Sequence, residues 1–340
     1  MNNKRNQNID FIKGITIFLV VYGHTIQYCI PNGKDFFINK VFITIYSFHM
    51  PLFMIISGYL FYYATRKRNI KEIIKRRFKQ LIIPAIAWYT IYSIINLGIQ
   101  VFYNKLSFII AILKYIKGIP YQFWFLFTLF YLTIIFIIVK KKFNDKIEYY
   151  ILIFILLIVF PDILNIQYLK FMYPYFLVGY LFNKYEGNIN KYKYKYKRII
   201  YYMSAILYFI LLFKWNKNYY IYTTGMTLYN TDILNKLYII SYRYIIGLCG
   251  SILIIMILSN IFNVYKFRFI SKMGKYTLGI YILQEYIMKV LSKVNINIEN
   301  IYFFNFIYSP ILTIFIIGVS LFMIKLIRKN KIVSSVLLGS

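Results

Sequence analysis

The chain has 340 residues, 60% of them hydrophobic and only 15% charged, with a formal net charge of +31 and a mean hydropathy of +0.60. That composition cannot cover a soluble protein of this length with polar surface, so a globular soluble enzyme is excluded and a membrane protein is expected. The positive charge does not read as a nucleic-acid footprint, because it sits in short loops between apolar runs.

A spanning helix needs roughly 20 mostly apolar residues to cross a hydrocarbon core about 30 Å thick. That criterion predicts an all-α, polytopic integral membrane protein, a single domain over 1–340 with about ten spans. They fall near 9–29, 41–63, 81–103, 122–139, 149–164, 168–183, 199–215, 236–259, 273–294 and 303–325.

The first span carries Asp10, Lys13 and His24. Eleven residues separate Lys13 from His24, and at about 100° per residue the two share one helix face, about 16 Å apart. Asp10 is one turn before Lys13 and can pair with it, but is too far from His24 to orient its ring. Ionisable groups inside a span must face a cavity or a polar seam. The second span holds His49, the other of the two histidines, with Pro51 and Gly58 beyond it. Pro51 either frees a carbonyl beside a cavity or makes an ordinary packing kink.

The loop 63–80 gathers eight basic residues, among them Arg76, Arg77 and Lys79 just before span three. Such a cluster serves topology and anionic headgroups, and it also suits the phosphates of a nucleotide-bearing donor. The half-apolar piece 104–121 reads as interfacial or re-entrant. Trp124 opens span four, where tryptophan commonly anchors the interface. Pro161 and Pro174 flank the short fifth and sixth spans, and the run Lys191–Lys197 reads as a short cytoplasmic loop.

Arg243 lies inside span eight and needs a partner or a wet cavity. Gly247 and Gly250 allow close helix packing. Tyr276, Gln284 and Glu285 on span nine complete a polar interior. The two cysteines, Cys29 and Cys249, show neither a disulfide framework nor metal-ligand spacing, so no metal is expected. Leu337–Ser340 carry no readable signal, and an appended scar would read the same way.

The N-terminus, 63–80, 140–148, 184–198, 260–275 and the C-terminal tail together hold 28 basic residues against 11 in the opposite loops. That bias puts both termini in the cytoplasm, which needs an even number of spans, and ten satisfies it. A bacterial cytoplasmic membrane is the expected location.

In this order the residues resemble the acyltransferase-3 family of bacterial membrane O-acyltransferases. Asp10-Phe-Ile-Lys13 followed by His24 is similar to its basic-ten-His signature. Phe48-His-Met-Pro-Leu-Phe53 with Ile56-Ser-Gly-Tyr59 is similar to its second-span motif. Arg76-Arg-Phe-Lys-Gln-Leu-Ile-Ile-Pro84 resembles the basic run and proline before its third span, with Lys79 replacing the second Arg of an Arg-x-x-Arg pair. Trp124-Phe-Leu126, Phe176-Leu-Val-Gly-Tyr180 and Gly274–Tyr281 continue the match.

The resemblance implies ten spans and transfer of an acyl group from acyl-CoA, usually acetyl-CoA, to a hydroxyl of a glycan or lipid-linked sugar. It gives His24 the catalytic histidine role. Acetyl-CoA is then a donor substrate, with no permanently bound cofactor. Polysaccharide-biosynthesis proteins are the expected partners. Leu129 stands where some branches have glutamate, and Gln284 where many have histidine, so the partner of His24 stays unassigned. With no extracytoplasmic domain after span ten, the shorter exopolysaccharide-modifying members are favoured.

The mechanism this suggests seats the CoA phosphates on Arg76, Arg77 and Lys79 and runs the pantetheine arm past Lys13 to His24. His24 then takes the acceptor proton or carries the acyl group transiently, and Arg243 or His49 stabilises the oxyanion. The competing reading is a transporter or flippase for a lipid-linked sugar or small polar solute, which a polar midplane with kinked helices would also fit. A catalytically dead family member acting as an assembly partner is the third reading, and intact His24 and Lys13 argue against it.

Overall fold

The computed structural model describes residues 6–31, 35–103, 107–163, 165–228, 232–294 and 298–340, with backbone only over 188–195. Lys4, Arg5, Lys34, Lys105 and the side chains of Lys191, Lys193 and Lys195, which contribute to the loop charge above, lie outside the described residues. The described chain is helical throughout: α1 Gln7–Cys29, α2 Lys40–Thr65, α3 Ile70–Phe102, α4 Phe108–Gln122, α5 Trp124–Lys142, α6 Ile147–Val159 and α7 Ile166–Lys184. There follow α8 Glu186–Phe213, α9 Ile233–Tyr265, α10 Arg268–Met273, α11 Thr277–Leu291, α12 Ile301–Ile327 and α13 Lys331–Leu337.

Among the described residues, seven helices are long and apolar enough to cross a membrane: α1, α2, α3, α5, the Tyr196–Phe213 part of α8, α9 and α12. The other three expected spans fall on α6 with 13 residues, α7 with 19 and α11 with 15. Two of these are short, and α7 carries Lys170 and Pro174 within its length. One expectation is corrected. The run Lys191–Lys197 is helical backbone inside α8, not a loop. Lys and Tyr without Gly or Pro give a helix no reason to stop, so the turn shrinks to Tyr185 between α7 and α8.

The helices divide into two compact units, Met1–Tyr62 with Pro174–Ile324, and Tyr63–Tyr173 with Lys325–Ser340. In the first unit, Asn6 caps α1 by accepting from the main-chain N–H groups of Asn8 and Ile9, at 3.0 and 3.3 Å. The N-terminal third of α1 then packs on α10 through near backbone contact. A Cβ on Gly14 would fall 2.3 Å from the Ile270 carbonyl oxygen, and one on Gly274 would fall 1.8 Å from that of Asp10. Helices α2 and α7 cross in the same way: a Cβ on Gly58 would meet the Phe176 carbonyl oxygen at 2.0 Å, and one on Gly179 that of Ile55 at 1.9 Å. With no hydrophobic driving force between helices in lipid, such close approach is what holds them together. Gly247 gives room to Pro51 and Tyr175, and Gly250 to Phe48 and Tyr208.

Two helices widen into a π turn, and each does so just before a proline. In α12 the turn covers Phe304–Tyr308 and precedes Pro310. Ser309 N–H bonds back to the Phe304 carbonyl, and Pro310 has no N–H to give. The Asn305 carbonyl is thereby left without a helical partner, and the Tyr22 hydroxyl of α1 donates to it. The Asn305 side chain also accepts from Asn39 at 2.8 Å, and Asn39 in turn caps α2.

In the second unit, α3 widens over Phe78–Ile82 ahead of Pro84, which frees the Lys79 carbonyl by the same logic. The C-terminal tail packs there. The Trp88 indole donates to the Leu337 carbonyl at 2.9 Å, and a Cβ on Gly339 would fall 2.7 Å from the Lys79 oxygen. Leu337–Ser340 are thus integral to this unit. Lys170, fully buried, pairs with Asp162 at 2.8 Å and donates to the Phe160 carbonyl at the end of α6. The described part of 104–121 begins at Ser107 and forms most of the 15-residue helix α4, with Phe108, Ile109 and Ile116 exposed.

Gly179→Val should overpack the α2–α7 crossing and destabilise the protein by about 1–3 kcal/mol. A lowered midpoint of thermal unfolding in detergent would show it. Gly98→Val, where a Cβ meets nothing within 4 Å, should leave that midpoint within a degree or two.

Candidate active site

His24 sits about a turn and a half from the end of α1, on the face that also carries Tyr28. Its ring is half-buried, and Nδ1 lies 3.0 Å from Oε1 of Gln284 on α11. Gln284 is 1% exposed, and its Nε2 donates to the Tyr281 carbonyl at 3.3 Å. Because a carbonyl can only accept, that second bond fixes which way the amide points. Oε1 therefore faces His24 and must receive a proton from it, so Nδ1 carries the hydrogen and the lone pair is at Nε2. A buried, doubly bonded amide thus holds the imidazole in the tautomer that a general base needs.

The surroundings of His24 are aromatic. Tyr28 meets the ring edge-on at 6.1 Å between centroids, and Tyr46 of α2 lies at 6.5 Å. Tyr46 also packs on His49, at 4.7 Å, so one tyrosine ring contacts both histidines of the chain. The Tyr46 hydroxyl donates to Gln27 Oε1 at 2.8 Å. His49 is buried, and its Nδ1 donates to the Ile45 carbonyl one turn back at 2.7 Å. That bond also leaves Nε2 as the His49 acceptor nitrogen, which cannot donate to an oxyanion while the ring is neutral.

Arg243 takes a different part from the one the sequence suggests. It is 2% exposed, and its Nε donates to the Tyr219 carbonyl at 2.8 Å. One terminal nitrogen donates to the Gly225 carbonyl at 2.6 Å, and the other to those of Asn218 and Tyr220 at 2.9 and 2.8 Å. The Thr224 hydroxyl also accepts from it. The guanidinium is spent on the loop between α8 and α9, which explains how a mid-span arginine is tolerated and removes it as an oxyanion donor.

The other expected residues of the first unit are distributed along α1 and α11. Asp10 is buried in the first turn of α1, and Lys13 is half-buried beside the Gly14–Ile270 contact. Tyr276 precedes the first residue of α11, and Glu285 pairs with Lys289 one turn on at 3.9 Å. In the second unit, Arg76 and Lys79 are exposed about one turn apart on α3, with Arg77 half-buried between them. Trp124 stacks on the buried Tyr168 at 4.3 Å and 25°, which makes it a packing residue as well as an interface aromatic.

The sequence flags Gln284 as part of a polar interior on span nine and as a departure from the resembled family, and nothing in it singles out Tyr28 or Tyr46. Tyrosine occurs 38 times in the chain, so no single one carries a signal. The i, i+4 placement of Tyr28 after His24 is the one cue that could have raised it. Among the described residues no group of His, Cys, Asp and Glu could hold a metal ion.

Comparison with known proteins bears on what this arrangement does. The acyltransferase-3 family model, an acyltransferase domain, matches residues 6–325. Nodulation protein NolL of Mesorhizobium japonicum is 32% identical over 240 residues, covering 70% of this chain and 64% of that protein. Nodulation protein NolL of Sinorhizobium fredii is 33% identical over 186 residues, covering 53% of this chain and 49% of that protein. The chain thus spans from about half to just under two thirds of the length of these relatives. No solved structure matches it.

Gln284→Leu removes the acceptor that orients His24. The His24 ring should then populate both neutral tautomers instead of the single Nδ1–H form, and the 15N shifts of His24 in lipid nanodiscs would show the change.

Proposed function

The chain belongs to the acyltransferase-3 family, and from that premise we propose that this membrane acyltransferase moves an acyl group, acetyl in the simplest case, from acyl-CoA to a hydroxyl of a cell-surface or lipid-linked glycan. The observation that carries the reading is the His24–Gln284 pair, which leaves His24 Nε2 as a base in an aromatic, partly open setting. In this proposal Nε2 takes the proton of the acceptor hydroxyl, whose oxygen attacks the thioester carbonyl carbon. The tetrahedral intermediate collapses, the C–S bond breaks, and the imidazolium returns its proton to the departing CoA sulfur. An ester and free CoA result, with no redox change and no metal required by the balance.

Arg76, Arg77 and Lys79 supply cationic groups for the donor's phosphates. Only the arginines can make two-point contacts, and Lys79 acts as a point charge. Lys13, on the His24 face of α1, is the further cation we assign to the donor. The ten-span topology with both termini in the cytoplasm belongs to the same proposal. The loop charge bias supports it, and it places the basic loop on the side where acyl-CoA is made.

His24→Ala should insert and fold but transfer no label from radiolabelled acetyl-CoA to glycan, a loss of at least two orders of magnitude. Wild-type-like labelling by this variant would refute the mechanism. Arg76→Ala combined with Lys79→Ala should raise the KM for acyl-CoA several-fold and leave kcat nearly unchanged. A transporter would bind a sugar but form no covalent product, and the same labelling assay exposes it.

A further inference from the structure

The loop between α8 and α9 is held far more firmly than a connection needs. Arg243 donates to the carbonyls of Asn218, Tyr219, Tyr220 and Gly225. Lys236, two turns earlier on the same face of α9, is buried and donates to the Thr224 carbonyl. Seven residues at about 100° each bring the two cations within roughly 20° of one another around the helix. Gly225 adopts φ 59° and ψ −158°, a conformation open almost only to glycine. In that conformation its carbonyl bonds to the guanidinium. Thr223 and Thr224 fold the loop on itself by donating to the carbonyls of Lys217 and Asn218 at 2.9 and 3.0 Å.

What this fixed loop presents is aromatic and directed to the His24 end of α1 and α2. Tyr220 is buried, packs on Phe37 at 4.9 Å and Phe42 at 5.7 Å, and its hydroxyl donates to the Phe37 carbonyl at 3.3 Å. Lys217 pairs with Asp35 at 3.1 Å and lies over the Phe37 ring. The Phe37 main-chain N–H and Lys217 together hold the Asp35 carboxyl below its ordinary range, although an ion pair this exposed contributes little to stability. Tyr222, 48% exposed, meets Tyr46 edge-on at 6.5 Å. Tyr46 is the ring that touches both histidines, and Tyr28, 38% exposed, flanks His24 from α1. Tyr28 and Tyr46 thus flank the base, and Tyr222 extends the same aromatic set from the far side of Tyr46. A pyranose offers C–H faces for stacking and a rim of hydroxyls for hydrogen bonding, which is the chemistry such a wall would accept.

We propose that the Arg243-fastened loop is the acceptor-side wall of the His24 site, with Tyr222 and Tyr28 as stacking platforms for a sugar ring and Arg243 as their positioning residue. The inference rests on the proposed acyl transfer for its reaction, but sugar binding can be read without it. The test uses the full chain in lipid nanodiscs and a panel of methyl glycosides of neutral hexoses, deoxyhexoses and N-acetylhexosamines.

Saturation-transfer NMR without acyl-CoA should show contact with the ring protons of at least one glycoside, and Tyr222→Ala should abolish it while Tyr222→Phe retains it. With radiolabelled acetyl-CoA, Tyr222→Ala should raise the glycoside KM at least tenfold and shift the acetyl-CoA KM less than twofold. Arg243→Lys keeps the charge but cannot reach four carbonyls in different directions, and should reproduce that split. So should Gly225→Ala, which disturbs the loop without touching the cation. A merely structural role would move both KM values together or lower the amount of folded protein. An unchanged glycoside KM in Tyr222→Ala, or no glycoside bound by the wild type, overturns the proposal. Tyr222-dependent binding with no acyl transfer would leave the wall standing and overturn the transferase reading instead.

Discussion

Within the hydrocarbon layer a polar group has only the protein itself to bond to. Three places show how this chain meets that demand. Where Pro310 deprives α12 of an N–H, a π turn forms, and the carbonyl it frees takes a proton donor from Tyr22. Where an imidazole is needed inside the fold, a buried glutamine satisfies one nitrogen and leaves the other open. Where an arginine is buried, the carbonyls of a neighbouring loop surround it. In each case the partner is neutral, which avoids the cost of desolvating a second charge.

That preference shapes the chemistry of the site. A carboxylate behind His24 would both orient the ring and stabilise its charged form, whereas Gln284 does only the first. The imidazole is held in one tautomer by geometry, and the stabilisation of charge during the reaction must come from elsewhere. The rings of Tyr28 and Tyr46 lie beside the imidazole, at 6.1 and 6.5 Å between centroids, and are placed to respond to that charge. The same tyrosines suit a carbohydrate, so one set of side chains can serve both acceptor and base.

Much of this was legible from residue order. Helical spacing put Lys13 and His24 on one face of α1, and the positions of Gly247 and Gly250 pointed to the close packing that Tyr175, Pro51, Tyr208 and Phe48 exploit. Arg243 stood out as costly, but its partners could not be read. They are main-chain oxygens, which every residue carries and no sequence displays. The helical course of Lys191–Lys197 departs from the loop that its charge density suggests, because nothing in that run breaks a helix. The stacking of Trp124 on Tyr168 joins residues 44 apart in a chain crowded with aromatics, so no spacing rule reaches it. Gln284 is legible as a polar residue of span nine, but its role depends on which groups its two ends meet, His24 and the Tyr281 carbonyl, and the fold alone decides that.

The fastening of the α8–α9 loop has one more consequence. Guanidinium does not lose its proton under biological conditions, and amide oxygens neither gain nor lose one. A clasp made from them has no titration step, unlike one built from histidine and carboxylate. Salt at the membrane face screens the Lys217–Asp35 contact at the loop's rim, yet the inner clasp holds its shape. The rim can therefore respond to its surroundings while the wall behind it does not.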